Sequence, residues 1–135
     1  MIPLLRLNQL RSMRELLRLT SDKLNDLMSY QTPVTLTDEA TINWDISAAY
    51  NAKVTLAASR TLSVNNLVRG DYGTLEVVQG GTGSYTLTLP TSPVSKVANG
   101  GAGAITLTAA VGSVDVLSFY YDGTNLLWNA SLNFT

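Results

Sequence analysis

The sequence predicts a mainly β fold: an antiparallel β-sandwich, jelly-roll-like, preceded by one N-terminal α-helix. Three observations predict it. Residues 1–30 are rich in Leu, hold no Gly and space their apolar side chains at helical intervals. Residues 33–135 break into short runs that alternate apolar with polar side chains, separated by Gly, Pro and Asn. At 135 residues the chain is long enough for one domain with a buried core and a short appendage.

The helix is expected over residues 1–30, a segment with five basic and three acidic residues. One apolar stripe follows the 3-4 spacing of a heptad: Leu10, Met13, Leu17, Thr20, Leu24, Leu27. Thr20 is its weak place, and Leu16, Leu19 and Met28 widen the apolar face beyond a two-stranded seam. Three fates are open to such a helix: packing on its own domain, self-association into a bundle of three or more, or lying on an anionic membrane surface. Self-association makes Leu10, Met13, Leu17, Leu24 and Leu27 the oligomerisation residues. Thr20-Ser21-Asp22 is a place where the helix could divide. Pro33 disfavours helix before it and marks the boundary.

The strands follow in order. Val34 and Leu36 alternate with Thr35 and Thr37; Ile42, Trp44 and Ile46 alternate with Thr41, Asn43 and Asp45. Val54-Leu56, Leu62-Val64, Leu75-Val77, Tyr85-Leu87-Leu89 and Ile105-Leu107 continue the pattern, and Val114–Tyr121 with Leu126–Leu132 close it. Period-two runs every 8–12 residues indicate a sandwich or barrel. Gln79-Gly80-Gly81-Thr82-Gly83 and Asn99-Gly100-Gly101-Ala102-Gly103 read as turns, and Asp122-Gly123-Thr124-Asn125 as a hairpin turn. Val34-Thr35-Leu36…Thr41-Ile42-Asn43-Trp44 repeats as Val54-Thr55-Leu56…Thr61-Leu62-Ser63-Val64, an offset of 20. With only two copies, it reads as two similar hairpins rather than a solenoid. Apolar residues on both faces of Val114–Tyr121 suggest a strand covered on both sides, in part by another subunit.

The composition narrows the function. Charged residues make up only 14%, and the net charge of −1 excludes a strongly basic nucleic-acid binder. There is no Cys and no His, which removes disulfides, the commonest metal ligands and the commonest general base. No apolar run has the length of a signal peptide or a membrane span, so no membrane insertion is expected. The two Gly clusters lack the Lys-Ser/Thr ending and the following helix of a phosphate loop. The carboxylates lie apart in sequence, with no spaced Asp loop for calcium. No catalytic residue, metal or cofactor is expected, and an enzyme is not. Aromatic residues give the one binding signal: Tyr72, Tyr120, Tyr121, Asp122 and Asn125 are the candidate glycan or receptor contacts, since rings stack on sugars and amides or carboxylates bond their hydroxyls. Trp44, Tyr85, Phe119 and Trp128 lie in alternating strands and read as core.

Several stretches in order carry a resemblance: Thr41-Ile42-Asn43-Trp44-Asp45; Val54-Thr55-Leu56 with Arg60-Thr61-Leu62; Gly73-Thr74-Leu75 with Gln79; Thr82-Gly83-Ser84 leading to Thr86-Leu87-Thr88; and Val114-Asp115-Val116-Leu117-Ser118-Phe119-Tyr120-Tyr121-Asp122-Gly123-Thr124-Asn125. Together, over about residues 33–134, they resemble a β domain of tailed-phage fibre and other virion structural proteins, of tail-fibre or head-fibre type. The resemblance implies a β-sandwich on a virion appendage, made in the host cytoplasm, homotrimeric as a rule and used in host adhesion; it carries over no catalytic residue. The expected organisation is therefore a stem at residues 1–30, which oligomerises and attaches to other virion proteins, and a β-sandwich head at residues 33–135. A trimer is favoured and a pentamer is open. The alternatives are a capsid decoration protein and a carbohydrate-binding adhesion module acting on a host surface glycan.

Overall fold

The structure, a computed structural model, describes residues 4–135. It begins with α1, Leu4–Gln31, which runs unbroken through Thr20-Ser21-Asp22. Thr20 keeps its place by donating its hydroxyl to the Leu16 carbonyl one turn back, at 2.9 Å. The mainly β head follows as expected, but its strands are not arranged as an antiparallel jelly roll.

The strands are β1 Val34–Thr35, β2 Thr41–Asp45, β3 Asn51–Leu56, β4 Arg60–Asn65, β5 Tyr72–Gln79, β6 Leu87–Thr88, β7 Val94–Val97, β8 Val114–Tyr121 and β9 Asn125–Phe134. They form a six-stranded sheet of order β1-β3-β5-β8-β9-β7 and a three-stranded sheet of order β2-β4-β6. The chain thus alternates between sheets, and successive passes lie parallel: β1 with β3 and β3 with β5 on one side, β2 with β4 and β4 with β6 on the other. Only β5–β8 and β8–β9 are antiparallel. The repeat at an offset of 20 is therefore two stacked coils, not two hairpins. Thr41 stands opposite Thr61, Ile42 opposite Leu62 and Trp44 opposite Val64. In the other sheet Val34 pairs with Ala52, two residues short of its sequence counterpart Val54 but on the same face.

Between the sheets lies one hydrophobic core. β2 supplies Ile42 and Trp44, β4 Leu62 and Val64, β3 Val54 and Leu56, β5 Leu75 and Val77, β8 Leu117 and Phe119, and β9 Leu126 and Trp128. Trp44, Phe119 and Trp128 are core residues as the alternation predicts; Tyr85 is half-buried, with its hydroxyl held at Thr82. The Ile105–Leu107 run buries Leu107 but forms no ladder, whereas Val94–Val97, not expected as a strand, pairs in parallel with β9.

Polar groups in the core are anchored. Gln79 is buried and clasps the Tyr85 backbone, donating to its carbonyl at 2.8 Å and accepting from its N–H at 3.1 Å, which shapes the Gly80–Ser84 turn. Asp115 occupies an inward position of β8, so the inner face of that strand is not wholly apolar. Its carboxylate accepts the Thr108 N–H at 2.7 Å, the Thr108 hydroxyl at 2.8 Å and the Asn133 N–H at 2.8 Å. The last of these donors sits in the irregular register between Val114 and Val116, where Asn133 adopts φ 60. One carboxylate so ties a loop and a strand end to β8. Among the described residues the outer face of β8 is left partly open: Val114 and Val116 are half-buried, while Ser118 and Tyr120 are exposed.

A second carboxylate staples the first coil to the second. Arg60 donates to Asp38 through Nε at 2.8 Å and through an Nη at 2.9 Å, and the Ala57 N–H adds a third bond at 3.2 Å. The Arg60 bonds hold the Asp38 carboxyl below the ordinary carboxylate range, partial burial works against them, and the Ala57 N–H adds to the lowering.

Two outcomes are expected. Asp115→Ala leaves three donors without their acceptor, two of them backbone N–H groups; at about 1–3 kcal/mol for each unsatisfied buried group, the loss of stability is about 3 kcal/mol or more, read as a lower urea midpoint. For Asp38 the folded pKa lies below the unfolded one, so its contribution is complete above about pH 4 and fades as pH falls through the folded value. Arg60→Met lowers stability at neutral pH and flattens its dependence on pH below about 4, measured by urea melts across that range.

Candidate functional site

The first candidate surface is α1 itself. The described side chains from Ser12 to Ser29 are all exposed. Of the expected seam, Met13 is 56% exposed, Leu17 66% and Leu24 54%; Leu16, Leu19 and Met28 beside it are equally open. The side chains of Leu10 and Leu27 lie outside the described residues. The described side chains from Ser12 to Ser29 therefore do not pack on the head. Its hydrogen bonds and ring contacts to the head, among the described residues, come from Tyr30 and Gln31. The Tyr30 carbonyl accepts the Tyr50 N–H at 2.8 Å, and the Gln31 carbonyl accepts Asn51 Nδ2 at 2.8 Å. A long helix with a bare apolar stripe is left in water, where isolated helices are marginal and such stripes seek a partner.

The second candidate surface lies on the outer face of the six-stranded sheet. The antiparallel register sets Tyr72 of β5 opposite Tyr120 of β8, and Tyr120 opposite Leu127 of β9; the parallel register then sets Leu127 beside Lys96 of β7. Tyr72 is 63% exposed, Tyr120 48% and Leu127 39%. The row continues towards the helix. The Tyr50 ring stacks on Tyr72 with centroids 5.5 Å apart, and the Tyr30 ring lies against Tyr50 at 5.6 Å. At its other end the row opens into a shallow groove of about 330 Å³ lined by Lys96, Val97, Ala98, Leu127, Trp128 and Asn129. The next row of the same face is polar, with Thr74, Ser118 and Asn129 in register.

The structure thus brings together two of the five sugar-contact candidates, Tyr72 and Tyr120. The other three build the hairpin. Tyr121 is half-buried against the core and donates its hydroxyl to the Gly123 carbonyl at 2.9 Å. Asp122 Oδ1 accepts the N–H groups of Thr124 at 2.8 Å and Asn125 at 2.7 Å. Those backbone bonds hold its carboxyl below the ordinary range, and the Lys96 charge adds to the lowering. Asn125 is half-buried, its backbone completing the turn. Sequence reasoning does not point to Tyr30 or Leu127, and it gives Tyr50 only as one of the clustered aromatic residues of the β segment. Tyr50 and Tyr72 stand about one coil apart, which is the signal that could have paired them.

The chemistry this surface offers is stacking and apolar contact. Among the described residues no group of three or more Asp or Glu side chains is placed to hold a metal ion, and no helix is long and apolar enough to cross a membrane. The carboxylates with lowered pKa, Asp38, Asp45 and Asp122, each serve a turn or a staple: Asp45 accepts the Ser47 N–H and hydroxyl and Asn66 Nδ2. No family model, no curated protein and no solved structure matches the chain.

Proposed function

We propose that the chain is a structural protein of a bacteriophage virion: a small homo-oligomeric fibre or spike, displayed on the particle surface and anchored by its N-terminal helix. The observation that carries this reading is the bare Leu/Met stripe of α1, a helix joined to its head only at its last two residues among those described. The ordered β motifs that resemble phage fibre domains support the setting, and the same resemblance favours a trimer over a pentamer. In this reading residues 1–30 bundle and attach the spike to other virion proteins, and the head faces outward as an adhesion surface rather than an enzyme. The row of Tyr72 and Tyr120 favours one second reading, a carbohydrate-binding adhesion module that takes a host surface glycan. A capsid decoration protein differs from the spike only in where the stem docks.

Light scattering after gel filtration tests the stem. The full chain is expected as an oligomer, and the chain lacking residues 1–30 as a smaller species. Leu17→Asp with Leu24→Asp places carboxylates in the seam, where an unpaired buried charge costs several kcal/mol, and is expected to raise the dissociation midpoint at least about tenfold. A monomeric full-length chain ends the fibre reading. Peptide mass spectrometry of purified particles tests the location, and particles without this chain overturn it.

A further inference from the structure

Apolar side chains on the outer face of the six-stranded sheet concentrate at two ends of the strands. At the end away from the helix, Val78, Val114 and Phe134 are in register. At the helix end lie Tyr72, Tyr120 and Leu127, with Tyr50 and Tyr30 continuing the line to α1. Between them run polar or mixed rows, Thr74-Ser118-Asn129 and Glu76-Val116-Ser131. Only the helix-side row is continuous with the stem. Extending the 3-4 spacing past Leu24 and Leu27 puts Gln31 in the seam and Tyr30 directly beside it. The Tyr30 ring meets Tyr50, which is half-buried against the core, and Tyr50 stacks on the exposed Tyr72, which is in register with Tyr120 and, through it, Leu127.

We infer that this tyrosine row is the head's contact with a second copy of the chain, so that head and stem close the oligomer together. The inference rests on the reading of α1 as an assembly stem. The stem alone is short for that task. Its heptad stripe covers fewer than three to four heptads and carries Thr20 in the seam, below the length at which a helical seam is self-sufficient. A copy that covers the stripe reaches the row next, and burying Tyr72, Tyr120 and Leu127 supplies the missing apolar area. A sugar is the weaker occupant. The Tyr30, Tyr50 and Tyr72 rings lie against one another with interplanar angles of 33° and 25°, so each already gives a face to a neighbour.

The test uses the full chain. Tyr72→Ser with Tyr120→Ser is expected to raise the dissociation midpoint at least about tenfold, as loss of interface tyrosines does, with the circular dichroism spectrum unchanged. The chain has no Cys, so single thiols can be placed cleanly. Tyr120→Cys in the oligomer is expected to react with a bulky maleimide at least about tenfold more slowly than Val111→Cys, an exposed position at the opposite end of the strands. Both results are required. An oligomer with an unchanged midpoint, or equal labelling of the two thiols, overturns the head contact and leaves the stem reading standing. Saturable binding of a neutral oligosaccharide by the intact oligomer, lost in the double Ser variant, gives the row to a glycan and also overturns it. A monomeric unaltered chain overturns both.

Discussion

The indole of Trp44 lies wholly buried between the two sheets, so its N–H must find a partner inside the protein. It donates to the Ala49 carbonyl at 2.9 Å, in the bend between β2 and β3. The ring meets Phe119 edge-on at 5.4 Å, Phe119 meets Trp128 at 5.1 Å, and the Trp128 N–H donates to Ser95 Oγ at 3.0 Å, which in turn donates to the Pro90 carbonyl. The column joins the small sheet to β8 and β9 and satisfies both indoles. It also explains a residue that is absent. A Cβ on Gly73 would stand 2.7 Å from Trp44 and 2.8 Å from Phe119, so β5 carries no side chain where the rings need the space. The carbonyl that holds Trp44 belongs to the residue before Tyr50. One buried ring therefore places the first tyrosine of the surface row and, through the Tyr50 N–H, the end of the helix.

Head and stem meet opposite thermodynamic fates. Every strand except the two-residue β1 sends side chains into a shared core, and no buried side-chain polar atom among the described residues lacks a hydrogen-bond partner. The head can hold its shape from its own contacts. The described side chains of the stem before Tyr30 bury almost nothing, so their apolar stripe gains nothing from the head. The buried core and the exposed apolar stripe thus lie in separate segments of the chain.

Much of this was legible in the sequence, and what was not has a physical reason. Leu spacing, the lack of Gly and Pro33 mark α1 to within a residue of its observed end. Alternation marks which side chains of β2 to β5 are buried. Strand direction is a different matter, because a period of two is the same in parallel and antiparallel ladders. The clue was the repeat itself: a unit of strand, bend and strand recurring at equal length can stack on its own copy, and Thr41 opposite Thr61 shows that it does. Asp115 was hidden because a charged residue in an alternating run is ordinarily read as facing water. β7 was hidden because four residues after two prolines carry little pattern, and its partner β9 is distant in sequence. Of the surface row, Tyr72 and Tyr120 were legible as exposed aromatics, but their pairing needs the β5–β8 register, and Tyr30 reads simply as the end of a helix.

The alternation between sheets makes the coil a unit of length. Each added pass contributes one strand to each sheet, so the head would grow in steps of one strand spacing, roughly 4.8 Å, without altering either end. The helix leads into the first coil and bonds to the start of β3, while beyond the third coil β8 runs antiparallel to β5, and β9 and β7 complete the sheet. The 20-residue offset between the first two coils shows that such a step has a sequence equivalent. Reach can be lengthened or shortened by whole coils, as the rungs of a ladder are, while the fittings at its two ends stay the same.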